Sequence, residues 1–431
     1  MNIKNNNNEF KNFYWFATGQ FVSQFGSKMT SFGLVLWAYK ESGSVLSTSL
    51  LSVCYLFPEV LLSFIAGSIS DSWNKKKIMM VSDTVAAMFS FGVLILMSAH
   101  SLKVEYLYLI NFMLGIMDSF QNPASEVAVS FIVSRENLMK TSGLRSFFNS
   151  FTGIFAPVAA TSLYAFFGLK IVILIDLSTF FFSLITLLVC VSIPKVYKTV
   201  DTSESIISKC RLGIQYIFSK KDIHSLIMFM AFVNFIAAVY NSILSPMILS
   251  RSGDNDVQLG IVTSTVGIAG LVGSILVTRL RPVTKRVPLI LNIMTFSFLI
   301  CNALLGIGRN FYVWTFAVFA GNILIPLLIA NVEYIMRTKI PLTMQGRVFS
   351  ARNTLQYTSI PLGNLTAGFL ADNVFEPYMH RVSAGKLFFE KVVGSGNGSG
   401  IALLYLCIAA AGVLGCFVFR MNKDMKRLDE N

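Results

Sequence analysis

Residues 170–193 read KIVILIDLSTFFFSLITLLVCVSI, one Lys at the edge and one Asp inside a run that is otherwise apolar or hydroxylated. A helix of about 20 such residues spans the hydrocarbon core of a bilayer. Similar runs lie near 13–39, 45–70, 78–99, 104–133 and 138–167, and again near 223–250, 257–278, 287–307, 311–336, 346–372 and 400–420. The sequence therefore predicts an all-α membrane protein of about twelve transmembrane helices in two six-helix bundles. The whole chain agrees: 431 residues are 54% hydrophobic and 13% charged, too few charges for a soluble surface.

The formal charge of +13 takes its meaning from where the positives fall. With both termini on one side, 24 of the 35 Lys and Arg lie in the inner gaps, eight lie outside, and Lys28, Arg145 and Arg352 lie within spans. The positive-inside rule then makes both termini cytoplasmic. The expected location is a cell (inner or plasma) membrane, crossed many times. The charge is a topological signal, so no nucleic-acid partner is expected. The polar, Asn-rich start, Met1 to Asn12, has no apolar core or cleavage site, and no cleaved signal peptide is expected.

The expected organisation is an N-terminal bundle over 1–194, a charged cytoplasmic linker over 195–222 and a C-terminal bundle over 223–431. Sliding the second half onto the first by 207 residues lands Glu126 on Glu333 and Arg145 on Arg352. Pro157 and Pro361 correspond once three residues are dropped. Two-half repetition of this kind is a mark of secondary transporters.

An ionisable group deep in a span is costly, so each one is informative. Lys28, Glu59 and Asp118 fall at similar depth in the first, second and fourth spans. One reading has them line a polar central cavity, with Lys28 paired to Asp118 or Glu59 and a carboxylate exchanging a proton. The other is a static buried pair that fixes packing. Glu126 with Arg145, and Glu333 with Arg352, sit near the inner ends of their spans. They are read either as ion pairs that open and close an inner gate, with Glu126 or Glu333 able to take a proton, or as permanent ties between helices. Asp83 and Asp176 are weaker candidates that could be satisfied locally.

His100, His224 and His380 lie apart in or beside loops, and the six cysteines show no paired spacing. No metal site, no cofactor and no enzyme are expected. The Gly394 to Gly400 stretch lacks the Lys-Ser/Thr ending of a phosphate loop.

The loop Gly67-Ser68-Ile69-Ser70-Asp71-Ser72-Trp73-Asn74-Lys75-Lys76-Lys77 resembles the hallmark loop of the major facilitator superfamily. There the Gly allows close helix contact, the Asp caps or pairs with a helix of the other half, and the lysines anchor the turn at the inner surface. The expected partner of Asp71 is the start of span eleven, Gly346 to Arg352, which includes Arg347. Phe120-Gln121-Asn122-Pro123-Ala124, Gly346-Arg347-Val348-Phe349, Pro361-Leu362-Gly363 and Ala371-Asp372-Asn373-Val374-Phe375-Glu376-Pro377 look like the drug:proton antiporter-3 branch, which includes macrolide-efflux-type pumps and siderophore exporters. The antiporter motif, usually Gly-Pro followed by two Gly, stands here as Ala156-Pro157-Val158-Ala159-Ala160-Thr161.

The resemblance implies alternating access and proton-coupled export of a small amphiphilic, drug-like molecule, bound at the midplane among Phe-rich and Met-rich spans (38 Phe and 18 Met overall). The expected partners are the lipid bilayer, that substrate and protons, and the expected state is a monomer. Export of an endogenous siderophore, secondary metabolite or lysophospholipid is the alternative within transport. A receptor or assembly partner that no longer transports is the alternative outside it.

Overall fold

The computed structural model describes residues 3–72, 74–133, 138–192, 206–279, 284–381 and 384–429. All of its regular structure among these residues is helical. In lipid a backbone must satisfy its own N–H and C=O groups, and helices do so within one segment. The chain forms two compact units, Met1–Ser42 with Leu51–Ser203, and Gly43–Leu50 with Glu204–Asn431.

The first unit holds α1 (Ile3–Ser42), α2 from Leu51 onward (the whole helix is Val45–Ser72), α3 (Lys75–Ser98), α4 (Val104–Ile132), α5 (Leu138–Phe167) and α6 (Leu169–Ile185), which runs on through a π turn at Thr186–Cys190. α1 packs on α5 and α6, and α3 on α4 and α6. Gly19, Gly26 and Gly33, seven residues apart on α1, make the α6 contact possible. A Cβ at Gly19 would strike Thr186, one at Gly26 would strike Thr179 and come within 3.1 Å of Asp176, and one at Gly33 would come within 3.0 Å of Leu169. Small residues let helices in a membrane approach backbone to backbone.

Besides Gly43–Leu50, the second unit holds α7 (Ile206–Ser219), which lies in the expected linker and packs on α14. It continues through α8 (Lys221–Ser252), α9 (Asp256–Arg279), α10 (Arg286–Ser297), a π turn at Phe298–Asn302 and α11 (Ala303–Ile307). Then come α12 (Phe311–Asn322), α13 (Ile325–Lys339), α14 (Leu342–Tyr357), α15 (Ser359–Leu370), a π turn at Ala371–Phe375, α16 (Glu376–His380), α17 (Ala384–Val393), α18 (Ser399–Met421) and α19 (Lys423–Lys426). α8 is the most buried of these. It packs on α15 and α18, with Phe229, Ile243, Met247 and Ile248 fully enclosed. Two hydrogen bonds tie it to its neighbours: Tyr405 Oη donates to the Tyr240 carbonyl at 2.9 Å, and Ser242 Oγ to Asn364 Oδ1 at 2.9 Å.

Among the described residues eight helical segments are long and apolar enough to cross a membrane, against about twelve expected. α1 and α4 fall short because polar residues interrupt them: Gln20, Gln24 and Lys28 in α1, and Asn111, Asp118, Gln121 and Asn122 in α4. Those interruptions are the substance of the candidate site.

A polar cluster inside the first unit

On α1, Gln24, Lys28 and Ser31, at spacings of four and three, are all exposed. This spacing puts them on one helix face. A lysine in mid-span is costly where it faces hydrocarbon, which is what makes this exposed face a candidate site.

Opposing charge comes from α2 and α4. Tyr55 and Glu59 are one turn apart on α2, and Asp118 and Asn122 are one turn apart on α4. The two helices meet closely at Gly115, where a Cβ would strike the Tyr55 carbonyl and come within 2.8 Å of Pro58. That approach lets the Tyr55 hydroxyl donate a short hydrogen bond to the Asp118 carboxylate. Asn122 hydrogen-bonds Glu59, and the charge of Lys28 acts on both Glu59 and Asp118. Lys28 therefore acts on both of the carboxylates expected as its partners.

The cluster continues towards α3. Gln121 Nε2 donates to Asp83 Oδ1, and Gln20 of α1 hydrogen-bonds the same carboxylate. Asp83 is buried and within the field of Asp118. Asp176, by contrast, is satisfied locally by the hydroxyls of Ser27 and Ser90, each at 3.1 Å.

The other expected site residues divide by location. In the second unit Arg352 Nη1 lies 2.8 Å from Glu333 Oε1, and Arg337 Nε lies 3.5 Å from Glu333 Oε2. Arg352 also donates to Asn353 Oδ1 at 3.0 and 3.2 Å and lies over the Phe349 ring at 5.0 Å. Arg145 sits half-buried on α5 and takes part in an interaction, whereas the side chains of Glu126 and Arg347 lie outside the described residues. So do those of Gly67 and Asp71, although both are within α2. Of the lysines that follow, Lys75 is buried under Phe131 at 5.5 Å, Lys77 is exposed, and Lys76 Nζ donates to the carbonyls of Val191 (2.8 Å) and Leu188 (3.2 Å) at the carboxyl end of α6. A cation is favoured there by the helix dipole. Pro157 is half-buried within α5.

Sequence reasoning missed Tyr55, Asn122, Gln20 and Gln121. The available signal was the four-residue spacing from Tyr55 to Glu59 and from Asp118 to Asn122, which places each polar neighbour on the face of an acid.

The family model described as Major Facilitator Superfamily matches residues 16–364. The chain belongs to the major facilitator superfamily. It is similar to macrolide efflux protein A of Streptococcus pyogenes, 23% identical over 366 residues that cover 84% of this chain and 90% of that protein. It is also similar to macrolide efflux protein A of Enterococcus faecalis, 24% identical over 341 residues that cover 75% of this chain and 99% of the relative. Among solved structures, the nucleoside transporter NupG superposes with a TM-score of 0.71 at 14% identity, covering 96% of this chain and 98% of that one. A bacterial homologue of the iron transporter ferroportin, in an inward-facing state, gives 0.71 at 15% identity over 98% and 99%. These two likenesses establish the fold. The protein is thus a multi-pass major facilitator transporter, and not an enzyme.

Proposed function

We propose that this transporter expels an amphiphilic, drug-like compound, of the macrolide type or similar, in exchange for protons. The observation that carries the reading is the unequal charge of the polar cluster among the described residues: one cation, Lys28, acts on Glu59 and Asp118, and Asp83 lies in the field of Asp118. In a medium of low dielectric such an excess of carboxylates is stable only if a further positive charge joins it. A proton can supply that charge, and so can the basic nitrogen of an amphiphile. The two compete for one position, which is the elementary requirement for exchange. Tyr55, donating to Asp118, fixes the rotamer in which the carboxylate waits. Glu126 and Glu333 are the further carboxylates assigned to proton transfer, and Gly67, Asp71, Lys75–Lys77, Arg145, Pro157, Arg347 and Arg352 to the conformational change.

The similarity to two macrolide efflux proteins supports the substrate class. The same carboxylate excess disfavours an acidic siderophore, which would need more cations around it. Placement in the plasma membrane with both termini cytoplasmic follows from the positive-inside distribution, and a monomer is sufficient for the mechanism.

The test is export of a labelled macrolide from proteoliposomes with and without an imposed pH gradient. Accumulation that collapses with the gradient is expected. Export that is indifferent to it would refute proton coupling.

A further inference from the structure

The positives that the sequence leaves outside are not spread evenly. Five of the eight, Arg251, Arg309, Arg381, Lys386 and Lys391, belong to segments of the second unit that meet around α17.

α17 ends against two arginines. Arg251, in the last turn of α8, donates from Nη1 to the Gly308 carbonyl at 3.0 Å and from Nη2 to the Val393 carbonyl. Arg309, between α11 and α12, donates from Nη2 to the Lys391 carbonyl at 3.0 Å. The chain then turns through Gly394, whose φ is 88°. A Cβ there would stand 3.4 Å from Arg251 Nη2 and 3.5 Å from Arg309 Nε, so both guanidinium groups flank one small residue.

Capping accounts for part of this arrangement, because the last carbonyls of a helix attract cations. It leaves charge over. A helix end presents about half an elementary charge, whereas the two guanidinium groups carry one each and act on each other. Their carbonyl acceptors are neutral, and among the described residues neither arginine forms a salt bridge. Glu376 does act on Arg251, but its carboxylate is held at the start of α18 by the Ile401 N–H at 3.0 Å and is shared with His380 at 3.6 Å. The exposed Lys391 adds a further positive charge. Arg309 is exposed too, and of its five N–H donors one is engaged among the described residues.

The outer face of α17 adds a second, independent observation. Leu387 and Phe388 are 61% and 65% exposed, and their spacing to Lys391 puts all three on one helix face. Phe389 and Val393, turned the other way, pack into a core with Met379 and Leu403. At ten residues the helix is too short to cross a bilayer. A short helix that shows large apolar side chains beside cations suits the membrane interface, where the chains enter the acyl boundary and the cations meet phosphate.

We propose that Arg251, Arg309 and Lys391, at the carboxyl end of α17, bind the phosphate of an anionic phospholipid, with Leu387 and Phe388 seated at the boundary of its acyl chains. Guanidinium groups match phosphate oxygens in pairs, with charge assisting each hydrogen bond. A free phosphate would meet the same cations but would leave Leu387 and Phe388 in water.

The experiment uses the full chain in detergent micelles. Native mass spectrometry measures its retention of added dioleoyl phosphatidylglycerol against dioleoyl phosphatidylcholine, whose phosphate is balanced by its own cation. Wild type is expected to prefer phosphatidylglycerol. Arg309→Gln with Lys391→Gln removes two exposed charges, keeps amide donors and spares Arg251, whose bonds join three segments; it should weaken phosphatidylglycerol binding about tenfold. Leu387→Ser with Phe388→Ser should weaken it as well. Lys103→Gln with Lys170→Gln, an equal loss of exposed charge from the first unit, should leave it unchanged. Phosphatidylglycerol should also raise the unfolding temperature of wild type and not that of the Arg309/Lys391 variant. Equal binding by wild type and the Arg309/Lys391 variant, or equal weakening by the Lys103/Lys170 change, overturns the proposal. If inorganic phosphate strips the lipid from wild type and the Leu387/Phe388 change has no effect, the site takes a free anion and the lipid assignment fails.

Discussion

Arg352 reaches back nineteen residues to place Nη1 2.8 Å from Glu333 Oε1. The two are not equally replaceable. Glu333 keeps Arg337 at 3.5 Å if Arg352 is lost. Among the described residues Arg352, only 14% exposed, keeps the neutral Asn353 amide and the Phe349 ring if Glu333 is lost. An uncompensated charge is costlier than an absent pair. Glu333→Ala should therefore destabilise the protein by about 1–3 kcal/mol, less than for a fully buried pair because Glu333 is one-third exposed. Arg352→Ala should cost less, and the double variant less than the sum. Thermal unfolding of the three variants in detergent checks this, and strict additivity would show that the pair has no coupling.

The Tyr55 hydroxyl and the Asp118 carboxylate are joined only because α2 and α4 touch at Gly115. Asp118→Asn removes the charge that the exchanged cation answers. It should lower gradient-driven export at least about tenfold, equivalent to ~1.4 kcal/mol, with normal membrane levels. Tyr55→Phe leaves the charge but frees its rotamer and should fall between that variant and wild type. Unchanged macrolide export by both would remove the pair from the mechanism.

What could be read from the sequence follows from how local each feature is. The run 170–193 declares its helix because length and apolarity are properties of one segment, and Glu333 with Arg352 emerges because one repeat offset finds both. The bond from Tyr55 to Asp118 depends instead on how closely two helices cross, which Gly115 sets and no pattern announces. Arg251 is further from legibility still: its hydrogen-bond partners are backbone carbonyls, and backbone carbonyls look alike in every sequence. The polarity that lowered α1 and α4 below an ordinary span was visible throughout, as Gln24, Lys28, Asp118 and Asn122, but only the fold shows which of these share a face.

The α1 glycines can be separated from an idle glycine by one extra methyl group. At Gly26 a Cβ meets Thr179 and Asp176 of α6, whereas at Gly92 on α3 it meets nothing within 4 Å. Gly26→Ala should therefore cost about 1–3 kcal/mol through overpacking. Gly92→Ala should gain about 0.5–1 kcal/mol, since alanine orders a helix at less entropic cost. Detergent unfolding temperatures of the two variants should move in opposite directions. A shift of the same sign in both would show that the α1–α6 approach is not limiting.

Glu376, beyond the last turn of α15, links stability to pH. Burial pushes its carboxyl above the ordinary glutamate value, against the opposing pull of the Ile401 N–H (3.0 Å), His380 (3.6 Å) and Arg251. Because the folded-state value is raised, the folded protein holds more proton than the unfolded chain between the two values. The sign follows: this contribution is fully present below the unfolded value and is lost as pH rises through the folded one. Glu376→Gln keeps a carbonyl to accept from Ile401 and has no proton to lose. Wild type and variant should therefore unfold at similar temperatures near the ordinary value of 4.5, and the variant should become the more stable as pH approaches neutrality. Unfolding scans of both proteins across that range, at fixed ionic strength, decide it; a gap that stays constant or closes with rising pH would show that the Ile401 and Arg251 contacts outweigh burial.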